Sequence, residues 1–251
     1  MKLRMPRPLN GWQAFTNEVV VVVFGVLLAL GAQELVASID ERREAARTRA
    51  TLVDEIEETL AILNLRKAAQ PCIDNRLREL RAIVNEWGRT GSFKTPRWVS
   101  QATWFAFDTA RFEAAQSAGR LALLPSEEQY RIGLVIGSLR SFRDIQRRET
   151  DAWSTLRILQ SGPEVLSATD RTAVRLALQD ASTLNHFAQI NVGQTLPQAA
   201  QFGWRPDMRR VQERMASAWK DGRFRPSVCI GIDTPPDQAH REANLIYPLP
   251  E

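Results

Sequence analysis

Residues 98–112 carry the side chains best suited to binding a small molecule. Five aromatic residues fall in this segment, and a later polar stretch, 185–194, could face them. An apolar hollow with a few convergent polar groups is the usual form of a ligand pocket. The predicted pocket residues are Trp104, Phe107, Asp108, Arg111, Phe112, His186 and Gln189. The alternative is that these rings belong to an ordinary core and the polar residues to a solvated surface.

Other patterns that carry chemistry are missing from the sequence. The two histidines, His186 and His240, and the two cysteines form no HxxxH, HExxH or CxxC spacing. Neither a GxxxxGK(S/T) phosphate loop nor a GxSxG nucleophile turn occurs. We therefore predict no catalytic, cofactor-binding or metal-binding residue, and favour a binding or interaction role. The rival hypothesis is a membrane-anchored enzyme that uses Asp108, Glu113 or His186 as acid or base.

Cys72 and Cys229 allow a single pairing. A disulfide between them would close a loop of about 157 residues and stabilise the fold by up to about 5 kcal/mol. An exported chain can use such a bridge, whereas a cytosolic chain seldom does. The alternative is two unrelated buried thiols.

A run of fourteen apolar residues, 19–32, is the strongest departure from ordinary soluble composition. Fourteen helical residues cover only about 21 Å, but the stretch from Trp12 to Glu34 covers about 33 Å, enough to cross a bilayer. Trp12 lies where an interfacial aromatic anchor would sit. The sequence therefore predicts a membrane anchor over 12–37. Two alternatives are a leader cleaved near Ala29-Leu30-Gly31 and the core helix of a soluble protein.

Three residues of this anchor suggest contacts within the membrane. Glu18 begins the apolar run, where its carboxylate can reach the headgroups or meet a basic residue or a neighbouring protomer. Gly25 and Ala29 have the small-xxx-small spacing that packs two membrane helices together. The predicted partners are the lipid bilayer and either a second copy or another membrane protein.

The distribution of basic residues predicts the orientation weakly. Lys2, Arg4 and Arg7 precede the run, and no base occurs between Gln33 and Glu41 after it. Since Lys and Arg concentrate on the cytoplasmic side, we expect a bacterial inner-membrane signal anchor with a cytoplasmic N-terminus and a periplasmic domain. A cytosolic domain is the alternative.

The basic charge does not indicate nucleic-acid binding. The excess is only +4 over 251 residues, and 29 of the 33 bases are Arg, interleaved with acids. A phosphate-binding face would need clustered bases. We therefore predict no nucleic-acid partner.

After the anchor, apolar residues recur at helical spacing and no segment alternates like a strand. One seam runs from Val53 to Leu63, and Pro71 is expected to end or kink that helix. A second seam runs from Ile73 to Trp87. These patterns predict an all-α fold in which the transmembrane helix continues into an antiparallel helical bundle.

Helix boundaries follow from turn and capping residues. Gly119 is predicted to cap one helix, Ser126 with Gln129 and Ser167 with Asp170 to start two more, and the last of these to stop before Pro197. Another helix is expected from Pro206 to Gly222. The predicted organisation is a basic segment 1–11, the anchor 12–37, a helical bundle 38–222 and an irregular proline-rich tail 223–251.

Three segments resemble a bacterial family of proteins with one N-terminal span. They are Glu18 to Leu30, with its Val-rich run, Gly25 and Leu-Leu-Ala-Leu; Thr103-Trp104 through Ala114–Gly119 to Leu123-Leu124-Pro125; and Cys72-Ile73-Asp74 with Arg76-Leu77. The resemblance covers about two thirds of the chain. It implies an anchored helical domain, and it implies no activity, because none is assigned to that family.

Overall fold

The computed structural model describes residues 11–100, 107, 109–209, 211–213, 228–235 and 238, with the side chains of 11–14 excluded. The helices are α1, Gly11–Thr90; α2, Ala110–Ser117; α3, Ser126–Leu156; and α4, Ala168–Gln201. Two 3₁₀ turns, Arg120–Leu123 and Arg157–Ser161, flank α3. No strand occurs in these ranges, so the predicted all-α fold is confirmed.

The N-terminal part of α1 stands away from the rest of the protein. Every described residue from Phe15 to Ala37 is exposed, including a succession of large apolar side chains that continues to Ile39. This part of the helix is long and apolar enough to cross a membrane, which is consistent with a single-span membrane protein. None of it is buried, so it does not contribute to the core of the described domain.

Pro71 was expected either to end or to kink the first helix. It does not end the helix, because α1 continues to Thr90. Proline removes one backbone donor and crowds the preceding turn. Pro71 is exposed, while Ala69 and Ile73 beside it are buried in the domain. Packing on both sides therefore holds the helix through the proline, and the two predicted seams belong to one helix of 80 residues, about 120 Å long.

Two large apolar cores, beside a small cluster of Ala61, Ile62 and Val211, hold the described part of the bundle together. The near core, closer to residues 15–39, joins Leu52–Leu63 of α1 to α2, the first half of α3 and the second half of α4. The far core joins Ala69–Trp87 of α1 to the end of α3 and the start of α4. Since the two halves of α4 meet α1 and α3 in reverse order, α4 runs antiparallel to both. The second half of α4 thus returns toward the apolar part of α1.

The predicted helix ends are partly right. Ser167 and Asp170 form the predicted capping box at the start of α4. Ser126 is not the N-cap of α3: the cap position is Pro125, and the Gln129 amide donates instead to the Leu124 carbonyl at 2.8 Å. Helix α4 also continues through Pro197 to Gln201, because Thr195 and Ala199 on either side are buried.

The segment 228–235 is attached to the far end of α1. Cys229 forms a disulfide with Cys72. The buried Arg76 guanidinium donates to the carbonyls of Trp98, Val99 and Ile230, and burial lowers the pKa of this guanidinium. One arginine of α1 thus satisfies the backbone acceptors of two irregular segments. Most of 206–222 and of the tail 223–251 lies outside the described residues.

Candidate functional site

The aromatic half of the predicted pocket packs into the near core. Phe107 stacks on Phe142 with ring centroids 6.2 Å apart. Phe112 is buried, and the Arg140 guanidinium lies 5.2 Å from the centre of its ring. Arg111 pairs with Asp54 of α1 at 2.8 Å. Trp104 and Asp108, the other two members of this half, lie outside the described residues.

The polar half of the predicted pocket lies elsewhere. His186 is exposed, and the Gln189 amide donates to Asp74 at 3.2 Å. Asp54 and Asp74, which receive Arg111 and Gln189, are twenty residues apart on α1, or about 30 Å of helix. The described members of the predicted pocket are therefore not brought into one site.

The anchor residues singled out from the sequence lie on the exposed part of α1. Glu18, Gly25 and Ala29 are all exposed, and a Cβ added at Gly25 would meet no atom within 4 Å. The face that carries Gly25 and Ala29 is therefore open to a lipid or to another helix. The side chain of Trp12 lies outside the described residues.

A cavity of about 350 Å³ lies between α1, α2 and the 3₁₀ turn Arg120–Leu123. We call it the juxtamembrane cavity, because it lies just past the apolar part of α1. Its apolar floor is formed by one leucine and two alanines, and its rim carries three arginines, one carboxylate and two hydroxyls. The lining residues are Glu44, Arg47, Thr48, Thr51, Leu52, Arg111, Ala114, Ala115 and Arg120.

The charges on this rim are unevenly paired. Arg120 Nε lies 3.0 Å from Glu44 Oε1, and Arg111 is held by Asp54. Arg47 has no hydrogen-bond or ion-pair partner among the described residues. The Thr48 hydroxyl is buried and also has no partner there. The cavity therefore offers one uncompensated positive charge and one unused hydroxyl beside an apolar floor.

Helix α2, which closes one side of the cavity, is capped by α1. The buried Glu55 carboxylate accepts the backbone N–H groups of Arg111 and Phe112, both at 2.9 Å. Unpaired N–H groups and the positive end of the helix dipole both favour a carboxylate at this position. The Thr109 hydroxyl is directed to Glu113 instead, and this hydrogen bond, with Arg140, lowers the pKa of the Glu113 carboxyl. Glu55 thus fixes the position of α2, and with it the shape of the cavity.

A buried polar cluster crosses the middle of the bundle. Arg66 of α1 donates to both carboxylate oxygens of Glu149 on α3, at 3.0 and 2.9 Å, and to the Asn185 side chain on α4 at 2.8 Å. Asn185 in turn donates to Asp74 at 2.9 Å, and Gln70 donates to both Asp74 and Asn185. This cluster links three helices by charge-assisted hydrogen bonds.

The Arg66–Glu149 end of the cluster is closed to solvent. Arg66 Nε, both polar atoms of the Gln146 side chain and Trp153 Nε1 are buried without a partner in the described part of the chain. The side chains of Arg66 and Glu149 are only 2% and 3% exposed. Arg66 and Glu149 are therefore closed to solvent, whereas Gln70 and Asp74 at the other end of the cluster are half-buried.

Neither the juxtamembrane cavity nor the buried polar cluster was predicted from the sequence, although the sequence carries a signal for the cluster. Glu149 falls at seven-residue spacing between Phe142 and Leu156, and Asn185 falls between Ala181 and Ala188, so both interrupt apolar seams. A charged or amide residue on such a seam indicates a buried polar contact. The juxtamembrane cavity leaves no comparable pattern, because it arises where three separated segments meet.

The described residues contain no cluster of three or more His, Cys, Asp or Glu side chains that could hold a metal ion. Comparison with protein-family models, with curated proteins and with solved structures gives no match for this chain. The function proposed below is therefore argued from the geometry of the helices, the cavity and the disulfide.

Proposed function

We propose that the chain is a single-pass protein of the bacterial inner membrane whose periplasmic helical domain binds a ligand or serves as an accessory to a membrane complex. The observation that carries this proposal is the continuity of α1. One helix presents exposed apolar residues from Phe15 to Ile39 and then supplies Leu52–Trp87 to both cores of the domain. A contact made by the domain is thus linked rigidly to the membrane segment.

The same continuity supports an anchor rather than a cleaved leader. Helix α1 passes without interruption through Ala29–Gly31, where a leader would be cut. Retention of the N-terminal segment makes the anchor and the first helix of the domain one element.

The disulfide supports the periplasmic side. Cys72 and Cys229 are bonded in the structure, and disulfides persist in oxidising compartments such as the periplasm. The bases before the apolar run, at Lys2, Arg4 and Arg7, agree with a cytoplasmic N-terminus. The two arguments are independent, since one rests on redox chemistry and the other on membrane charge.

Reporter fusions test the orientation. Alkaline phosphatase joined to the C-terminus of the full chain should be active, because it folds only after export, whereas a green fluorescent protein fusion at that position should be dark. The reverse pattern would place the domain in the cytosol. A tag at the N-terminus should remain on the membrane-bound protein after alkaline carbonate extraction, and its loss would show a cleaved leader.

Cross-linking in native membranes tests the binding role. The full chain, purified with a C-terminal tag after cross-linking, should carry a reproducible protein or small molecule. A control chain that keeps residues 1–41 and replaces the rest with an unrelated helical domain should not carry it. Identical recovery by both chains would contradict a role for the domain.

A further inference from the structure

We propose that the juxtamembrane cavity binds the headgroup of an anionic phospholipid, with its phosphate between Arg47 and Arg120 and its glycerol region over the apolar floor. The proposal rests on insertion of residues 15–39 in a membrane, as proposed above. It does not depend on which side of the membrane the domain lies.

The height of the cavity along α1 supports a lipid. Ile39 is the last large exposed apolar residue of the membrane segment. Glu44 and Arg47 lie five and eight residues further, or about 8 and 12 Å along the helix. The polar layer of each leaflet is about 5–8 Å thick. Glu44 therefore lies at the outer edge of the headgroups and Arg47 about 4 Å beyond it, so a bound lipid would rise from the bilayer by about that distance.

The charges of the rim select an anion. Arg47 is unpaired among the described residues, and Arg120 is held by a single contact to Glu44 with both side chains partly exposed. A phosphate can accept from both guanidinium groups, since arginine matches phosphate oxygens in bidentate geometry. The exposed Thr51, on the same face of α1, offers its hydroxyl as an additional donor.

The apolar floor and the closeness of the bilayer together favour a lipid headgroup over a soluble phosphate ester. Leu52, Ala114 and Ala115 offer apolar surface directly beneath the arginines. The glycerol carbons of a headgroup can pack on this surface, while acyl chains in the bilayer keep the headgroup close to the cavity, which a soluble phosphate ester cannot do. The volume of about 350 Å³ accommodates a phosphoglycerol unit but not a whole lipid, so the chains would stay in the bilayer.

The test uses the full chain in dodecyl maltoside micelles and native mass spectrometry to count bound lipids. We expect one dioleoyl phosphatidylglycerol to be retained at least about tenfold more tightly than dioleoyl phosphatidylcholine, and Arg47→Gln to reduce this preference about tenfold. Arg42→Gln is the matched control. It removes the same charge five residues away, about 140° around the helix, and should leave the preference unchanged.

A second pair of variants tests the cavity independently of charge. Ala114→Phe places a ring over the floor and should remove the bound phosphatidylglycerol, while Ala110→Phe on the same helix does not line the cavity and should have no effect. Both alanines are exposed, so both variants should retain the helical circular dichroism of the parent.

Four outcomes would overturn the proposal. They are equal retention of the two lipids, equal losses in Arg42→Gln and Arg47→Gln, unchanged binding in Ala114→Phe, and binding of glycerol 3-phosphate as tight as that of the lipid, which would indicate a soluble phosphate ester as the source. Carbonate extraction separates this proposal from the previous one. A chain that stays in the membrane but shows no lipid preference contradicts only the cavity proposal, whereas a processed, extractable chain contradicts the anchor itself.

Discussion

Arg66 and Glu149 form a two-point ion pair in the middle of the bundle, with N···O distances of 3.0 and 2.9 Å and side chains 2% and 3% exposed. Removing one partner of such a pair leaves a charge that is both buried and unpaired. We therefore expect Arg66→Met alone to lower the free energy of unfolding by about 3–5 kcal/mol. Urea unfolding in micelles, followed by circular dichroism, measures this change.

The double variant Arg66→Met with Glu149→Leu should recover most of that loss, because apolar residues of similar volume often replace a buried ion pair without cost. Arg131→Gln, which breaks the exposed pair with Glu127, provides the control and should cost less than about 1 kcal/mol. A double variant as unstable as Arg66→Met would show that the hydrogen bonds to Asn185, rather than the charge pair, determine the stability.

The disulfide should stabilise both the whole domain and the segment 228–235. Replacing Cys72 and Cys229 together by Ser is expected to lower the free energy of unfolding by about 2–5 kcal/mol. The N–H groups of Arg97 and Trp98, which donate to the Ile232 carbonyl, should lose protection from hydrogen exchange. Exchange measured by mass spectrometry on the full chain tests both effects.

Reductant supplies the control for this pair of substitutions. It should bring the parent protein to the stability of the double-serine variant and leave the variant itself unchanged. An effect of equal size on both proteins would show that the reductant acts elsewhere.

Local sequence patterns predicted the helices because each helix buries its own apolar face. The seams at 53–63 and 73–87, Gly119 in its left-handed conformation (φ 69°) and the Ser167–Asp170 box are all readable from neighbouring residues. The helix ends predicted at Pro71 and before Pro197 do not occur, because tertiary packing outweighs the cost of a proline inside a helix. Sequence spacing does not report this packing. Even so, the all-α fold was predictable from periodicity alone.

The candidate site was not predictable in the same way. The juxtamembrane cavity joins Arg47 and Thr48 to Ala114 and Arg120, and their proximity depends on how α2 docks. That docking depends in turn on Glu55, which in the sequence is one of several acids on an apparently solvated face. A cap supplied from a different helix leaves no local capping pattern.

The proline of α1 offers a direct test of packing against helix propensity. Pro71→Ala should raise the free energy of unfolding by about 1–2 kcal/mol, because alanine restores a backbone donor while the loss of proline's restriction on the unfolded chain offsets part of the gain. Pro197→Ala in α4 is the parallel case, since that residue is also exposed inside a helix. Thermal unfolding of both variants measures the change. A lower midpoint for Pro71→Ala would show that the domain depends on a bend at this position.

The cap on α2 predicts a local loss of structure. Glu55→Gln removes the charge that accepts the N–H groups of Arg111 and Phe112, so about 1–3 kcal/mol of stabilisation should be lost. Exchange of these two amides should accelerate more than exchange in the middle of α4. Asp54→Asn, at the neighbouring position, weakens the partly exposed pair with Arg111 without touching the cap and should change these rates little. Equal acceleration in both variants would contradict a specific role for Glu55.

The capping box of α4 gives the domain a local dependence on pH. The Ser167 backbone N–H and hydroxyl both donate to the Asp170 carboxylate, at 2.8 and 2.7 Å, and they lower the pKa of this carboxyl below its usual value of about 3.9. Because the folded value is the lower one, the stabilisation from the carboxylate is fully present above about pH 4 and is lost as the pH falls through the folded pKa.

Titration of the Asp170 carboxyl carbon by nuclear magnetic resonance measures this pKa directly. Ser167→Ala removes the hydroxyl donor and should move the midpoint up toward the ordinary value, while protection of the first turn of α4 decreases. Thr172→Ala, in the same helix, alters only a hydroxyl that donates to the Ala168 carbonyl and should leave the midpoint where it is. If the midpoint in the parent protein already equals that of an unstructured aspartate, the carboxylate does not contribute to the cap, and only the Ser167 hydroxyl, which accepts the Asp170 N–H, caps the first turn of α4.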